Sequence, residues 1–407
     1  MMPKGWLVKK VSEICKLQNG NSFKPNEWDT KGLPIIRIQN LNGNKNFNYF
    51  SGVVNEKWLV NPGQLLFSWA GTKGVSFGPF IWMGPKGVLN QHIYKVFANN
   101  GVDTNWLYYS LMNVTNNIES RAHGFKSTLL HVQKKDIDNQ VIMLPPLMEQ
   151  EKIAAIIMLW DKAISLTESL VVNRITQKKY LIDKIFLENV AFSDLVKGGK
   201  SKSKLKSKLP PGWDFAKISD FCEKISTKNN SNENYPVLSC SKHEGFVDSL
   251  KYFNKKVYSD DVSGYRIVPR DAFAFPSNHI EEGSIGHQTL YDFGLVSPIY
   301  VVFRADESRV IGEYLYTLLK TERYRQIFSA ATNASVDRRG SLRWKEFSSI
   351  HVPLPPLEHQ KKVCSFLRLI NMEIDILKKK AEYLKQEKRA LMQQLLTGKR
   401  RVNTEVA

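Results

Sequence analysis

Cysteine is scarce and scattered. Cys15, Cys222, Cys240 and Cys364 stand far apart with no C-x-x-C pair, which excludes a disulfide framework and a thiolate zinc site and points to a reducing compartment. No uncharged apolar run reaches the roughly 18 residues that a membrane span needs, and the opening MMPKGWLVKK lacks the apolar stretch of a signal peptide, so a cytoplasmic protein is expected. Acidic residues are outnumbered, 39 against 58 Lys and Arg, leaving a formal charge of +19. A polyanion, and so nucleic acid, is the partner such a surface favours.

Catalytic signatures are missing too. No G-x-x-x-x-G-K-[ST] loop occurs, and GGKS at 198–201 has Asp194 where the first glycine belongs. There is no H-E-x-x-H, no Cys/His cluster with ligand spacing, and no glycine-rich turn after a strand to hold S-adenosylmethionine. LPPL lacks the preceding Asn or Asp and the following aromatic of an amino-methyltransferase site. No catalytic residue, metal or cofactor is expected in this chain. A self-contained methyltransferase or nuclease is disfavoured, and a basic helical scaffold without sequence preference is the other alternative.

What is present is a repeat. PKGWLVKKVSEIC at 3–15 and PPGWDFAKISDFC at 210–222 share Pro, Gly, Trp, Lys, Ser and Cys at an offset of 207. Pro62 matches Pro269, and WLYYSL at 106–111 matches YLYTLL at 314–319. Gly71-Thr72-Lys73-Gly74 and Gly283-Ser284-Ile285-Gly286 are read as equivalent turns. LPPLMEQEKIA at 144–154 and LPPLEHQKKVC at 354–364 close the two halves at an offset of 210. Small drifts in offset belong in loops, because a core strand cannot slip by one residue without turning its side chains over.

A helix must start after each Pro-Pro, since proline is tolerated in a first turn but not in a helix interior. Apolar residues then recur at steps of four and three: Ile153, Ile157, Trp160, Ile164, then Leu181 and Ile185 in one half, and Val363, Leu367, Ile370, Ile374, Leu377, Leu384, Leu391 and Leu395 in the other. That is a heptad seam. Polar or weakly apolar residues, Thr167, Val171, Arg174 and Lys178, interrupt the first, and Lys388 the second. Two helices this long exceed what one small domain buries, so they are expected to pack on each other as a rod of roughly 50 Å, either antiparallel with one globular domain at each end or parallel with both at one end. VKGGKSKSKLKSK at 196–208, with six lysines and no acid, reads as a flexible linker.

Short strand-like runs punctuated by Gly, Asn and Pro, with a helical stretch near the end of each half, give an α+β class. The expected organisation is a first globular domain at 1–144, a helix at 145–190, a linker at 191–209, a second domain at 210–354, a helix at 355–398 and a tail at 399–407. Candidate nucleic-acid contacts in or beside loops are Arg37, Gln39, Asn40, Lys45, Lys73, Arg121, His123 and Lys126. In the second half they are Lys242, His243, Lys255, Lys256, Asn278, His279, Arg338, Arg339 and Arg343. Arg suits guanine, Asn and Gln suit adenine, and Lys suits phosphate.

The duplicated G-W opening, the L-P-P-L-x-x-Q turn into a heptad helix and the ending LLTGKRRV at 395–402 together resemble the specificity subunit of type I restriction-modification enzymes. The resemblance covers nearly the whole chain. It implies two target-recognition domains, each reading one half of an asymmetric, interrupted double-stranded DNA sequence, held about one helical turn apart, roughly 34 Å, by an antiparallel coiled coil with approximate internal twofold symmetry. It also implies partners: modification subunits, usually two, that carry S-adenosylmethionine, and restriction subunits that use ATP and Mg. One departure is the second turn, which reads E-H-Q where the first reads E-Q.

Overall fold

A computed structural model describes residues 3–121, 129–187, 209–231, 233–333 and 341–403. The linker expected at 191–209 lies almost wholly outside them. The chain divides into two compact units, residues 1–169 with 378–407 and residues 170–377.

The first unit opens with β1 (Leu7–Lys10), followed by β2 (Cys15–Asn19), β3 (Leu33–Ile36), β4 (Asn48–Phe50), β5 (Leu59–Val60) and β6 (Leu65–Ser68). After these come β7 (Ala70–Thr72), β8 (Gly78–Ile81), β9 (Gly87–Leu89), β10 (Ile93–Ala98), the helix Thr104–Arg121, β11 (Leu129–His131) and β12 (Val141–Leu144). A central sheet has the order β2-β10-β6-β8, and a second has β4-β3-β9-β5. The second unit contains β13 (Asp214–Lys217), β14 (Cys222–Ile225), β15 (Leu238–Ser241), β16 (Gly245–Asp248) and β17 (Arg266–Pro269). It continues through β18 (Phe273–Pro276), β19 (Gly286–His287), β20 (Phe293–Val296), β21 (Tyr300–Ala305), the helix Gly312–Leu319 and β22 (His351–Leu354). Its central sheet, β14-β21-β18-β19, repeats the order of the first. The internal repeat is therefore a repeat of topology.

Strand registers refine the alignment. Gly63 N donates to Trp82 O as Asp271 N donates to Gln288 O, so Asp271 stands where the first half has Gly63, and Pro269 aligns with Asn61, one residue away from Pro62. Gly63 has φ +85° and Asp271 φ +63°, a left-handed geometry that short polar side chains tolerate and most others do not. The two glycine turns are not equivalent. Gly286 faces Ala274 as Phe80 faces Leu66, whereas Gly71 lies in β7, paired to Leu130.

Each unit is closed where its first strand meets its last. Leu7 pairs with Leu144 and Asp214 with Leu354, the first Leu of each LPPL. Gly5 and Gly212, both at positive φ, turn the chain against Pro146 and Pro356. The Gln of each turn is buried, with both amide donors and its oxygen bonded to backbone. Gln150 Nε2 donates to Gly101 O and Pro145 O, while its Oε1 accepts from Asp103 N at 2.8 Å. Gln360 repeats this with Arg309 O, Pro355 O and Ile311 N.

The E-Q against E-H-Q departure also has a physical reason. Glu149, its side chain only 4% exposed, accepts from Trp6 Nε1 at 3.1 Å and pairs with Arg401 from the LLTGKRRV ending. Gly398, at φ +68°, brings that ending against Pro3 and Trp6. In the second unit His359 lies edge-on to Trp213, and no arginine of that tail belongs to this unit.

The two long helices, Leu147–Leu187 and Leu357–Leu396, contribute to both units and pair antiparallel within each. In the first unit Asp161 pairs with Lys388 and Glu168 with Lys385, so the second helix descends as the first ascends. In the second unit Arg174 Nε donates to Glu373 Oε1 at 2.9 Å. Every seam position named above, from Ile153 to Ile185 and from Val363 to Leu395, is buried or half-buried. Of the polar slots, Arg174 and Lys388 are in these ion pairs and the Thr167 hydroxyl donates to Ala163 O. Each core is composite. The first takes Ile153 and Ile157 from one helix and Met392, Leu395 and Leu396 from the other; the second takes Val363 and Leu367 together with Phe186.

Gln150→Ala and Gln360→Ala should each lower stability by about 3 kcal/mol, because three backbone groups lose their partner inside the fold; urea unfolding measures this, and a loss below about 1 kcal/mol would contradict the role assigned. Along the seam, Ile157→Ala should cost about 3 kcal/mol. Arg174→Ala should cost under about 1 kcal/mol, since its ion pair is over 40% exposed on both sides.

Candidate nucleic-acid interface

The candidate contacts separate by what their side chains already do. Asn40, expected to read a base, is instead a scaffold residue: it is buried, its Oδ1 accepts from Arg37 N, and its Nδ2 donates to Asn44 O and Asn46 O. That leaves no donor face for adenine. Arg37 is half-committed, donating Nη1 to Asn48 Oδ1 at 3.1 Å with its guanidinium 5.0 Å over the Trp28 ring. Gln39 is exposed on the short helix Ile38–Leu41 and Lys45 on the loop after it. Lys73 donates to Glu119 O at 2.8 Å, and Arg121 is exposed at the end of the helix Thr104–Arg121.

In the second unit Lys242 and His243 are exposed on the turn between β15 and β16. Lys255 is exposed, and Lys256 pairs with Asp260. Asn278 holds a buried Oδ1 with no hydrogen-bond partner among the described residues. His279 is exposed with Nδ1 3.4 Å from Glu282. Arg343 is exposed just before the short helix Trp344–Ser348. His123, Lys126, Arg338 and Arg339 lie outside the described residues.

Sequence reasoning passed over an aromatic group in the first unit. Trp69 Nε1 donates to Gln91 O at 3.1 Å, and its indole lies 5.0 Å from His92, 4.6 Å from His131 and 5.9 Å from Tyr94. Burial and then the neighbouring His131 hold the His92 imidazole below its usual pKa. The residues are distant in sequence, so only the pairing of β7 with β11 reveals the cluster. In the second unit Arg266, at the start of β17, donates Nε to Pro298 O at 3.1 Å.

Other chemistry is limited. His279, Glu281 and Glu282 are the one grouping of potential metal donors among the described residues, with ligand atoms within 4.8 Å. The exposed contact of His279 Nδ1 with Glu282 already accounts for two of them. Burial pushes the Cys15 and Cys240 thiols up to about 12, so neither is a thiolate ligand or nucleophile near neutral pH. A cavity of about 740 Å³ in the second unit is lined by Glu244, Asp271, His287, Glu307, Glu313 and Arg368. With Arg368 bound to Glu313 at 2.7 Å, the lining is acidic and disfavours phosphate. No described helix is long and apolar enough to cross a membrane.

Known proteins share this architecture. A specificity subunit of the type I restriction enzyme MjaVIII from Methanocaldococcus jannaschii is 26% identical over 428 residues, covering 98% of this chain and 94% of its own length. A structure solved to explain complex assembly and conformational transition of the type I R-M system matches with TM-score 0.59 at 15% identity, covering 98% and 99%. The HsdS subunit from Thermoanaerobacter tengcongensis matches with TM-score 0.50 at 16% identity, covering 98% of each chain. Residues 3–177 and 210–386, one stretch per repeat, each match the type I restriction modification DNA specificity domain. With the sheet order, the proline turn and the paired helices all present twice, the chain belongs to the family of type I restriction-modification specificity subunits.

Proposed function

We propose that this chain contributes sequence recognition and no catalysis to its complex, each unit reading one half of an asymmetric, interrupted DNA target. The observation that carries this reading is a single sheet topology built twice with unlike residues around it. Arg37, Gln39 and Lys45 belong to one half, and Lys242, His243 and Arg343 to the other. Two readers with different surfaces select different half-sites, because base identity is read by side chains at groove edges while Lys and Arg on phosphate fix position. The charge of +19 supplies the non-specific attraction. The length of paired helix shared by the units is proposed to set the unread spacer.

The helices also offer a surface to partners. Phe366, Leu369, Met372 and Ile376 are between 44% and 64% exposed on the second long helix, spaced three to four residues apart as one stripe on a helix whose other stripe is already buried. Modification subunits are the proposed occupants. They would hold S-adenosylmethionine, and restriction subunits would hold ATP and Mg, since this sequence carries no glycine-rich phosphate loop.

Exchanging residues 210–343 for the counterpart of a relative should change one half of the sequence recovered by selecting bound duplexes from a random pool. A change in both halves would overturn the modular reading. Phe366→Glu with Ile376→Glu should reduce co-purification with the modification subunit at least tenfold while the unfolding midpoint stays within a few degrees. Unimpaired assembly would remove the stripe from the partner interface.

A further inference from the structure

The repeat builds one surface position twice with the same backbone and different side chains. In the first unit Trp69 N donates to His92 O at 3.2 Å, and Trp69 O accepts from Val132 N at 2.9 Å. In the second, Ser277 N donates to Ile299 O at 3.3 Å, and Ser277 O accepts from Leu342 N at 2.8 Å. One residue back on the returning strand, the carbonyls of Gln91 and Pro298 occupy matching places. The first is capped by the Trp69 indole and the second by the Arg266 guanidinium, each at 3.1 Å.

The cap is a shared structural need, but what surrounds it is not shared. The first unit presents an indole flanked by two imidazoles, with His131 exposed. The second presents a half-buried arginine with no acidic partner among the described residues, bonded to the carbonyl next to the exposed Ile299. Capping one carbonyl uses a single guanidinium donor and leaves the rest of the fork unused. An unpaired fork is the group that fits the two acceptors of guanine, and an apolar ring is one that fits the thymine methyl.

We infer that this duplicated position is where the two units discriminate bases: Trp69 with His92 and His131 for the first half-site, Arg266 for the second. The inference rests on the proposed function and assigns residues to it. A frame held constant while its side chains change chemical class is what two unlike readers on one scaffold require.

The test uses the full chain with its modification subunit and duplexes selected from a random pool. Arg266→Lys keeps the charge and a possible cap but loses the fork. It should relax one position of the second half-site by roughly 10- to 100-fold and leave the first unchanged. Trp69→Ala should relax the first half-site alone, whereas Trp69→Phe, which keeps the ring and loses the cap, should retain its preference. Full retention of both half-sites by Arg266→Lys and Trp69→Ala would overturn the inference, as would an equal loss across all sequences. A wild-type complex selecting no bipartite sequence would instead sink the proposed function.

Discussion

Gln150 and Gln360 each commit both amide donors and the amide oxygen to the backbone around them, joining the Pro-Pro turn to the loop before the helix Thr104–Arg121 in one unit and Gly312–Leu319 in the other. Everything else in a unit is arranged around that junction. Inside a protein an unmatched backbone group costs about as much as a hydrogen bond contributes, so the loop and the turn cannot part without both losing partners. The junction fixes where the long helix starts, and its neighbours Gly5 and Gly212 fix how the first strand enters. Strand, turn and helix are thereby locked in one register at each end of the repeat.

The long helices carry the next level of constraint. Their heptad stripes are interrupted by charge, and the interruptions are matched within each unit: Asp161 to Lys388, Glu168 to Lys385, Arg174 to Glu373. Partly exposed ion pairs contribute little stability, so what these pairs record is the register in which the two helices meet. Polar slots in a heptad pattern are best attested as devices that set register.

The parts of the fold legible in the sequence are those dictated by local chemistry. Pro-Pro forces a helix start and a 3-4 spacing yields a stripe, so both could be read directly, whereas Gly5 and Gly212 stood out only as repeated letters until the fold showed their positive φ. Glu149, Trp6 and Arg401 were visible as motif letters, but their convergence on one another was not, because it depends on residues 252 positions apart meeting in space. The candidate contact site was less legible. Loop position and residue type favoured Asn40, which the fold uses internally. The Trp69 cluster was invisible because strand pairing assembles it from three separate segments. Likewise Gly286 aligns with Phe80 only once the ladder is known.

The composite cores carry a consequence for how the molecule is made. Met392, Leu395 and Leu396 seal the first core, and all three follow in sequence every residue of the second core. Vectorial synthesis normally lets the earlier of two domains settle first, yet here its hydrophobic interior stays open until the whole second core has been made. The second core, bounded by Phe186 and Leu367, has all its parts sooner. Of the two units, the one begun first is therefore completed second, and a nascent chain stalled before its closing helix would display that unsealed interior to chaperones and proteases.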